Sequence, residues 1–147
     1  MTAPIDQHLE NLGTYLKGRL NEAGAALSAP LIVVQDVTYL TDFTPLDKFP
    51  LLQVYRTGGN GFVSESQEFE INYCLTNYAD PYDVPRILAW VVESYNENNI
   101  RALLVNYFST SDRCNNLDVE SITWSYGYKV LGANKVPSVR VSFSLLP

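Results

Sequence analysis

Two consecutive segments near the C-terminus leave the chain least freedom in what it can fold into. Ile122, Trp124, Tyr126, Tyr128 and Val130 alternate with small or polar residues, and Val139, Val141, Phe143 and Leu145 do the same after "GANKVP". Successive side chains on a strand point to opposite faces, so a period of two over such lengths specifies strands with one apolar side. The connection between them carries Gly, Asn and Pro, which reads as a hairpin and pairs the strands antiparallel. The chain must therefore build a sheet, and something must cover the apolar face of that sheet.

Two helical patterns supply the cover. Ile5, Leu9, Leu12, Leu16, Leu20, Ala23 and Leu27 fall three or four residues apart, which traces one face of an α-helix. Gly13, Gly18 and Gly24 interrupt it, each at a cost of up to ~1 kcal/mol relative to Ala, so packing has to hold this helix together. Val84, Ile87, Leu88, Val91, Val92 and Tyr95 form a second stripe. Asp80 or Asp83 can cap its first amides, and Pro85 fits only in its first turn.

Between the helices, "LIVVQDV" reads as a buried strand, and the prolines after Thr44 and Phe49 make "TYLTDFTPLDKFP" an irregular connection. "LLQVYRT" and "SQEFEINYCLT" read as further strands. In the second of these Phe69, Ile71, Tyr73 and Leu75 alternate with Glu68, Glu70, Asn72 and Cys74, so one face is buried and the other carries acid and amide groups. "IRALLVNYF" is expected to be extended, because Ile100, Leu104, Val105, Tyr107 and Phe108 do not keep a helical stripe. "STSDRCNNLD" is expected to be a polar loop. The fold expected from this order is α+β: a mainly antiparallel sheet with two helices packed on one face, in a single domain over residues 1–147.

The stretch "YRTGGNGFVSESQEF" raises the question of a phosphate-cradling loop. Such a loop needs a lysine after its glycines and a helix that presents its amides, and here no lysine follows and the next segment is a strand. The reading that fits is a flexible hairpin arm over residues 57–66, in which Gly and Asn supply the backbone freedom a turn requires. Catalytic signals are equally thin. His8 is the only histidine and lies inside the first helix pattern, and no Ser or Cys sits in a nucleophile elbow. Asp80 with Asp83 reads as helix capping, and Asp112, Asp118 and Glu120 read as a solvated loop without the ligand density of a calcium site. Cys74 and Cys114 stand apart from any metal-binding spacing and are expected to be reduced thiols. No enzyme activity, cofactor or metal is expected.

What remains concerns surfaces. The net charge of −6 works against affinity for nucleic acid. Charged residues make up 18% of the chain, below the roughly 25% of an average domain, and ten tyrosines and two tryptophans accompany them. Both features point to surface that is covered by protein rather than water. Glu65, Glu68 and Glu70 set three carboxylates around the glycine arm, and Tyr73, Tyr78, Tyr82, Trp90 and Tyr95 crowd the junction from strand to second helix. The aromatic group is a core by default and a subunit interface by the sharper reading. No apolar run approaches the ~20 residues of a membrane span, and "MTAPIDQHLENL" lacks a signal-peptide pattern, so maturation in a cytoplasm without membrane association is expected.

Three segments together resemble the tail terminator family of long-tailed bacteriophages, also called minor tail or tail-completion proteins. They are the amphipathic helix before "PLIVVQDV", the passage "KFPLLQVYRTGGNGFVSESQEFEINYCLT", and the helix "DPYDVPRILAWVVESY" followed by closing strands. The resemblance implies that "FPLLQVYR" and "FEINYCL" form the sheet and that the second helix packs across it. It also implies an assembly role: a homohexameric ring that binds the last ring of tail tube protein, stops its polymerisation and presents a surface to the head–tail connector or stopper protein. Viral DNA would pass through the lumen without sequence-specific binding, past a ring whose six copies carry about −36 in total. On this reading Arg56, Gly58, Gly59, Asn60, Gly61 and Phe62 contact neighbouring subunits or the tube, and Glu65, Glu68 and Glu70 are lumen or interface acids. The expected location is the virion, at the head–tail junction. The alternatives are another neck protein, of the head-completion or connector-stopper kind, or a small ligand-binding α+β module.

Overall fold

A computed structural model describes residues 5–26, 34, 36–39, 50–59, 67–75, 84–92, 99–109, 116–131 and 134–146. Among these residues three helices, α1 (Ile5–Ala26), α2 (Val84–Val92) and α3 (Ile100–Ser109), accompany five strands, β1 (Asp36–Thr38), β2 (Leu51–Gly59), β3 (Gln67–Cys74), β4 (Asn116–Leu131) and β5 (Asn134–Leu146). The strands form one sheet in the order β1-β2-β3-β5-β4. The chain is thus α+β, with a mixed sheet. β2–β3, β3–β5 and β5–β4 pair antiparallel, whereas β1 runs parallel to β2. A parallel neighbour needs a connection of about a dozen residues, and the stretch of sequence between β1 and β2, residues 39–50, is long enough for one.

Register places the core. Leu52 pairs with Tyr73 and Tyr73 with Val139; Val54 pairs with Ile71 and Ile71 with Val141; Phe69 pairs with Phe143. These side chains share one face and join Leu9, Leu12, Leu16 and Leu20 of α1, Ile87, Leu88 and Val91 of α2, and Ile100, Leu103 and Leu104 of α3 in one buried cluster. An aromatic chain ties the layers at one end. Tyr15 of α1 lies 5.3 Å from Tyr107, Tyr107 lies 5.1 Å from Phe108, Phe108 lies 6.3 Å from Phe143, and Phe143 stacks on Phe69 at 5.4 Å. Tyr73 and Trp90 are buried in this core, so the core reading of those two aromatics holds, while Tyr78, Tyr82 and Tyr95 lie outside the described residues.

Several expectations need correction. "IRALLVNYF" is a helix, and the sequence carried the signal: Ile100, Leu103, Leu104 and Tyr107 are buried, at spacings of three, four and seven. Including Val105 and Phe108, which lie half-buried on the flank, hides that stripe. The start is marked by Asn99, whose Oδ1 accepts from the Ala102 amide at 2.9 Å, an N-cap bond. A third helix therefore joins the expected two. β4 also begins at Asn116, inside the expected polar loop, and β5 at Asn134, inside the expected hairpin connection. Strand structure within "LIVVQDV" is described only from Asp36, with Val34 buried ahead of it. Pro85 does sit in the first turn of α2, and Asp80 and Asp83 lie outside the described residues.

α1 shows why glycines recur in a helix that needs none for its geometry. A Cβ at Gly13 would stand 2.6 Å from the Tyr39 hydroxyl and 2.8 Å from Val37 Cγ1. That hydroxyl donates to the Glu10 carbonyl at 3.1 Å, so the missing side chain lets β1 and the residue after it close on the helix. At Gly18 a Cβ would meet nothing within 4 Å. Opposite outcomes are therefore expected in urea unfolding. Gly18→Ala should stabilise by up to about 1 kcal/mol through helix propensity. Gly13→Ala should lose up to about 2 kcal/mol net, since overpacking at about 1–3 kcal/mol outweighs the same propensity gain. Equal effects at the two positions would refute the close-approach role of Gly13.

Candidate assembly interface

The expected arm is built on a strand pair. β2 and β3 stay paired as far as Gly59 with Gln67, so residues 60–66 connect two antiparallel strands, as a hairpin arm requires. A register shift between Arg56 and Gly58 leaves Thr57 as an extra residue, a bulge that bends the base of the arm. Arg56 is exposed and pairs with Phe69, which puts it on the helix-covered side of the sheet. Gly58 pairs with Glu68 on the other side, where a Cβ would stand 3.3 Å from Glu68 Oε2. Gly59 ends β2, while Asn60, Gly61, Phe62 and Glu65 lie outside the described residues.

Glu68 and Glu70 share the face opposite the three described helices but not an environment. Glu68 is exposed, whereas Glu70 is half-buried in a polar network. The Tyr55 hydroxyl donates to Glu70 Oε2; Asn72 Nδ2 donates to that oxygen at 3.1 Å and to the Tyr55 oxygen at 2.8 Å. Arg140 Nε stands 3.7 Å from Glu70 Oε1, and Lys129 Nζ donates to the Tyr55 oxygen at 3.4 Å. Burial, with the hydrogen bond to Glu70 and the repulsion of its charge adding to it, pushes the Tyr55 phenol up to about 12, so it stays a neutral donor at ordinary pH. Sequence alone could not assemble this group. Tyr55, Glu70 and Arg140 meet only because the register aligns three strands that are not all neighbours in the chain.

The feature that sequence reasoning missed lies on β4. Trp124 pairs with Val141 and Tyr126 with Val139, so the aromatic row faces the side on which the helices pack. Yet Trp124 is 41%, Tyr126 47%, Tyr128 65% and Val130 66% exposed. Among the described residues β4 is the terminal strand of the sheet order, and this row lies beyond the cover of the three helices. Trp124 and Tyr126 pack on each other with ring centroids 5.0 Å apart, and Lys135 Nζ lies 4.8 Å over the Tyr128 ring. The signal was present as alternation, but alternation reports a shared face and not whether anything covers it.

Among the described residues, no group of three or more His, Cys, Asp or Glu could hold a metal ion, and no helix is long and apolar enough to cross a membrane. Asp118 and Glu120 lie in β4, and Asp112 is outside the described residues. Cys74 is a free, buried thiol held protonated by burial, which pushes it up to about 12. Cys114 is outside the described residues.

No protein-family model matches the chain, and no curated protein matches it in sequence.

Proposed function

We propose that this protein is a structural, non-enzymatic virion subunit of the tail terminator type, assembling as a homohexameric ring that caps the tail tube and joins it to the head connector. The observation that carries the assembly reading is the open aromatic row of β4. A sixteen-residue edge strand presents backbone donors and acceptors beside exposed Trp and Tyr, a combination that a permanently monomeric protein tends to blunt with charge, proline or a covering helix. Aromatic residues of this kind are the usual anchors of protein interfaces.

A ring closes through unlike patches, one on each subunit meeting a different one on the next. The sheet has unlike edges, the long aromatic β4 and the three-residue β1, which suits a head-to-tail arrangement. Capping a tube further requires a face that matches the tube below and fails to match another tube subunit above. The arm at residues 57–66, with Arg56 at its base, is the segment we assign to those contacts.

Native mass spectrometry and negative-stain images of the purified chain test the reading. Six-fold rings with a central hole are expected, and tails of uncontrolled length are expected when the gene is deleted. A strict monomer at micromolar concentration that forms no ring on tail tubes would refute it. Normal tails beside leaking heads in the deletion would move the chain to a head-completion role.

A further inference from the structure

The face of the sheet opposite the three described helices carries a depression of about 160 Å³ whose walls include Asn72, Ser125, Lys129, Ser138 and Arg140, with Gly127 in its lining. Register explains the convergence. Asn72, Arg140 and Ser125 form one row across β3, β5 and β4, and Ser138 with Gly127 forms the next. Gly127 is the position that leaves the space open, since a Cβ there would meet nothing within 4 Å. A side chain in its place would project into the space between Ser125 and Lys129, its neighbours on the same face.

The electrostatics of the depression run against those of the chain. Two cations, Lys129 and Arg140, face one acid, Glu70, whose Oε2 already accepts from Tyr55 and Asn72 while its Oε1 stands by Arg140. The local balance is one positive charge on a protein of net −6. A guanidinium carries five N–H donors and an ammonium three, so neither the contact to Glu70 nor that to the Tyr55 oxygen exhausts them. The serine hydroxyls of Ser125 and Ser138 add neutral donors on the same walls. The planar guanidinium of Arg140 matches a carboxylate. A single negative charge balances the site, whereas a doubly charged phosphate would overshoot it within an already acidic protein.

We propose that this depression is a binding site for one carboxylate group, held by Lys129 and Arg140 and steadied by the serine hydroxyls. Tyr126 and Tyr128 contribute to its lining from β4, but by register their side chains belong to the opposite face, so the proposal does not rest on the assembly reading. Its ligand chemistry has two sources: a small free carboxylate, or an Asp or Glu side chain presented by another protein.

The test uses 13C-labelled acetate as probe, with line broadening measured in the presence of the full chain at constant ionic strength. Saturable broadening is expected, together with at least a tenfold weakening in Lys129→Gln. Gly127→Val should abolish it by filling the space. Because that position is open and valine suits a strand, the variant should keep the wild-type circular dichroism and melting temperature. Competition then separates the sources. A short peptide with one glutamate that displaces acetate at tenfold lower concentration than free glutamate assigns the site to a protein side chain, and equal potency assigns it to a small carboxylate. Displacement by chloride as effective as by carboxylates, stronger competition by phosphate, or unchanged broadening in folded Gly127→Val would each overturn the proposal.

Discussion

Replacing Phe143 by alanine is expected to lower the unfolding free energy by about 3–5 kcal/mol, the range for truncating a buried phenylalanine. Phe143 is 2% exposed and stands where the sheet meets the helices. It stacks on Phe69 of β3 and lies 6.3 Å from Phe108 of α3, so its removal opens a cavity between layers and breaks the ring contacts that link Phe69 to Phe108. The backbone around it cannot readily collapse into that space. β5 is held by β3 on one side and by β4 on the other, and the β4 pairing is already irregular here, with a register shift between Asp118 and Thr123. Ser121 props this irregularity by accepting from the Ser144 amide at 2.9 Å and donating to the Asp118 carbonyl at 2.6 Å. A domain of ordinary stability, about 5–15 kcal/mol, would lose a large fraction of it. Urea denaturation measures the loss, and a change below about 1 kcal/mol would show that the aromatic chain is not what ties α3 to the sheet.

The second large effect falls on assembly and not on folding. Replacing Trp124, Tyr126 and Tyr128 together by serine is expected to weaken self-association at least a hundredfold while the monomer stays folded. Anchors of this type commonly contribute about 2 kcal/mol or more each to an interface, so even partial engagement of three exceeds that factor. The cost to the monomer is smaller because each ring already meets solvent over two-fifths or more of its surface. Sedimentation velocity reads the association, and circular dichroism with thermal melting reads the fold. Retained rings would exclude β4 as the subunit contact. Loss of folding would show instead that the row is a structural surface of the monomer.

How much could be read beforehand differs from element to element for physical reasons. The stripe of α1 and the alternation of β3 and β5 were legible because burial on one side imposes a period, and Leu9, Leu12, Leu16, Leu20, Ile71, Val139 and Val141 are indeed buried. α3 was misread because its stripe is only four residues deep and has half-buried apolar flanks. In so short a segment the helical and extended periods differ by one or two positions, and the Asn99 cap was the decisive mark. Of the candidate site, Glu70 and the arm were singled out by composition. Their partners were not, since Tyr55, Lys129 and Arg140 come from β2, β4 and β5 and have no fixed spacing to Glu70.

The layer type was already written in the order of residues, because local periodicity dictates which side chains must turn inward. Which of the described strands lies at the edge depends instead on long-range packing. β4 and β5 carry the same kind of alternating pattern, yet β5 pairs on both sides and buries its apolar row, while β4 pairs on one side and leaves Trp124, Tyr126 and Tyr128 in solvent. Alternation is a property of one strand, whereas exposure depends on what lies beside it and above it. Strand order and the reach of the helices settle that, and both arise from contacts between residues far apart in the chain.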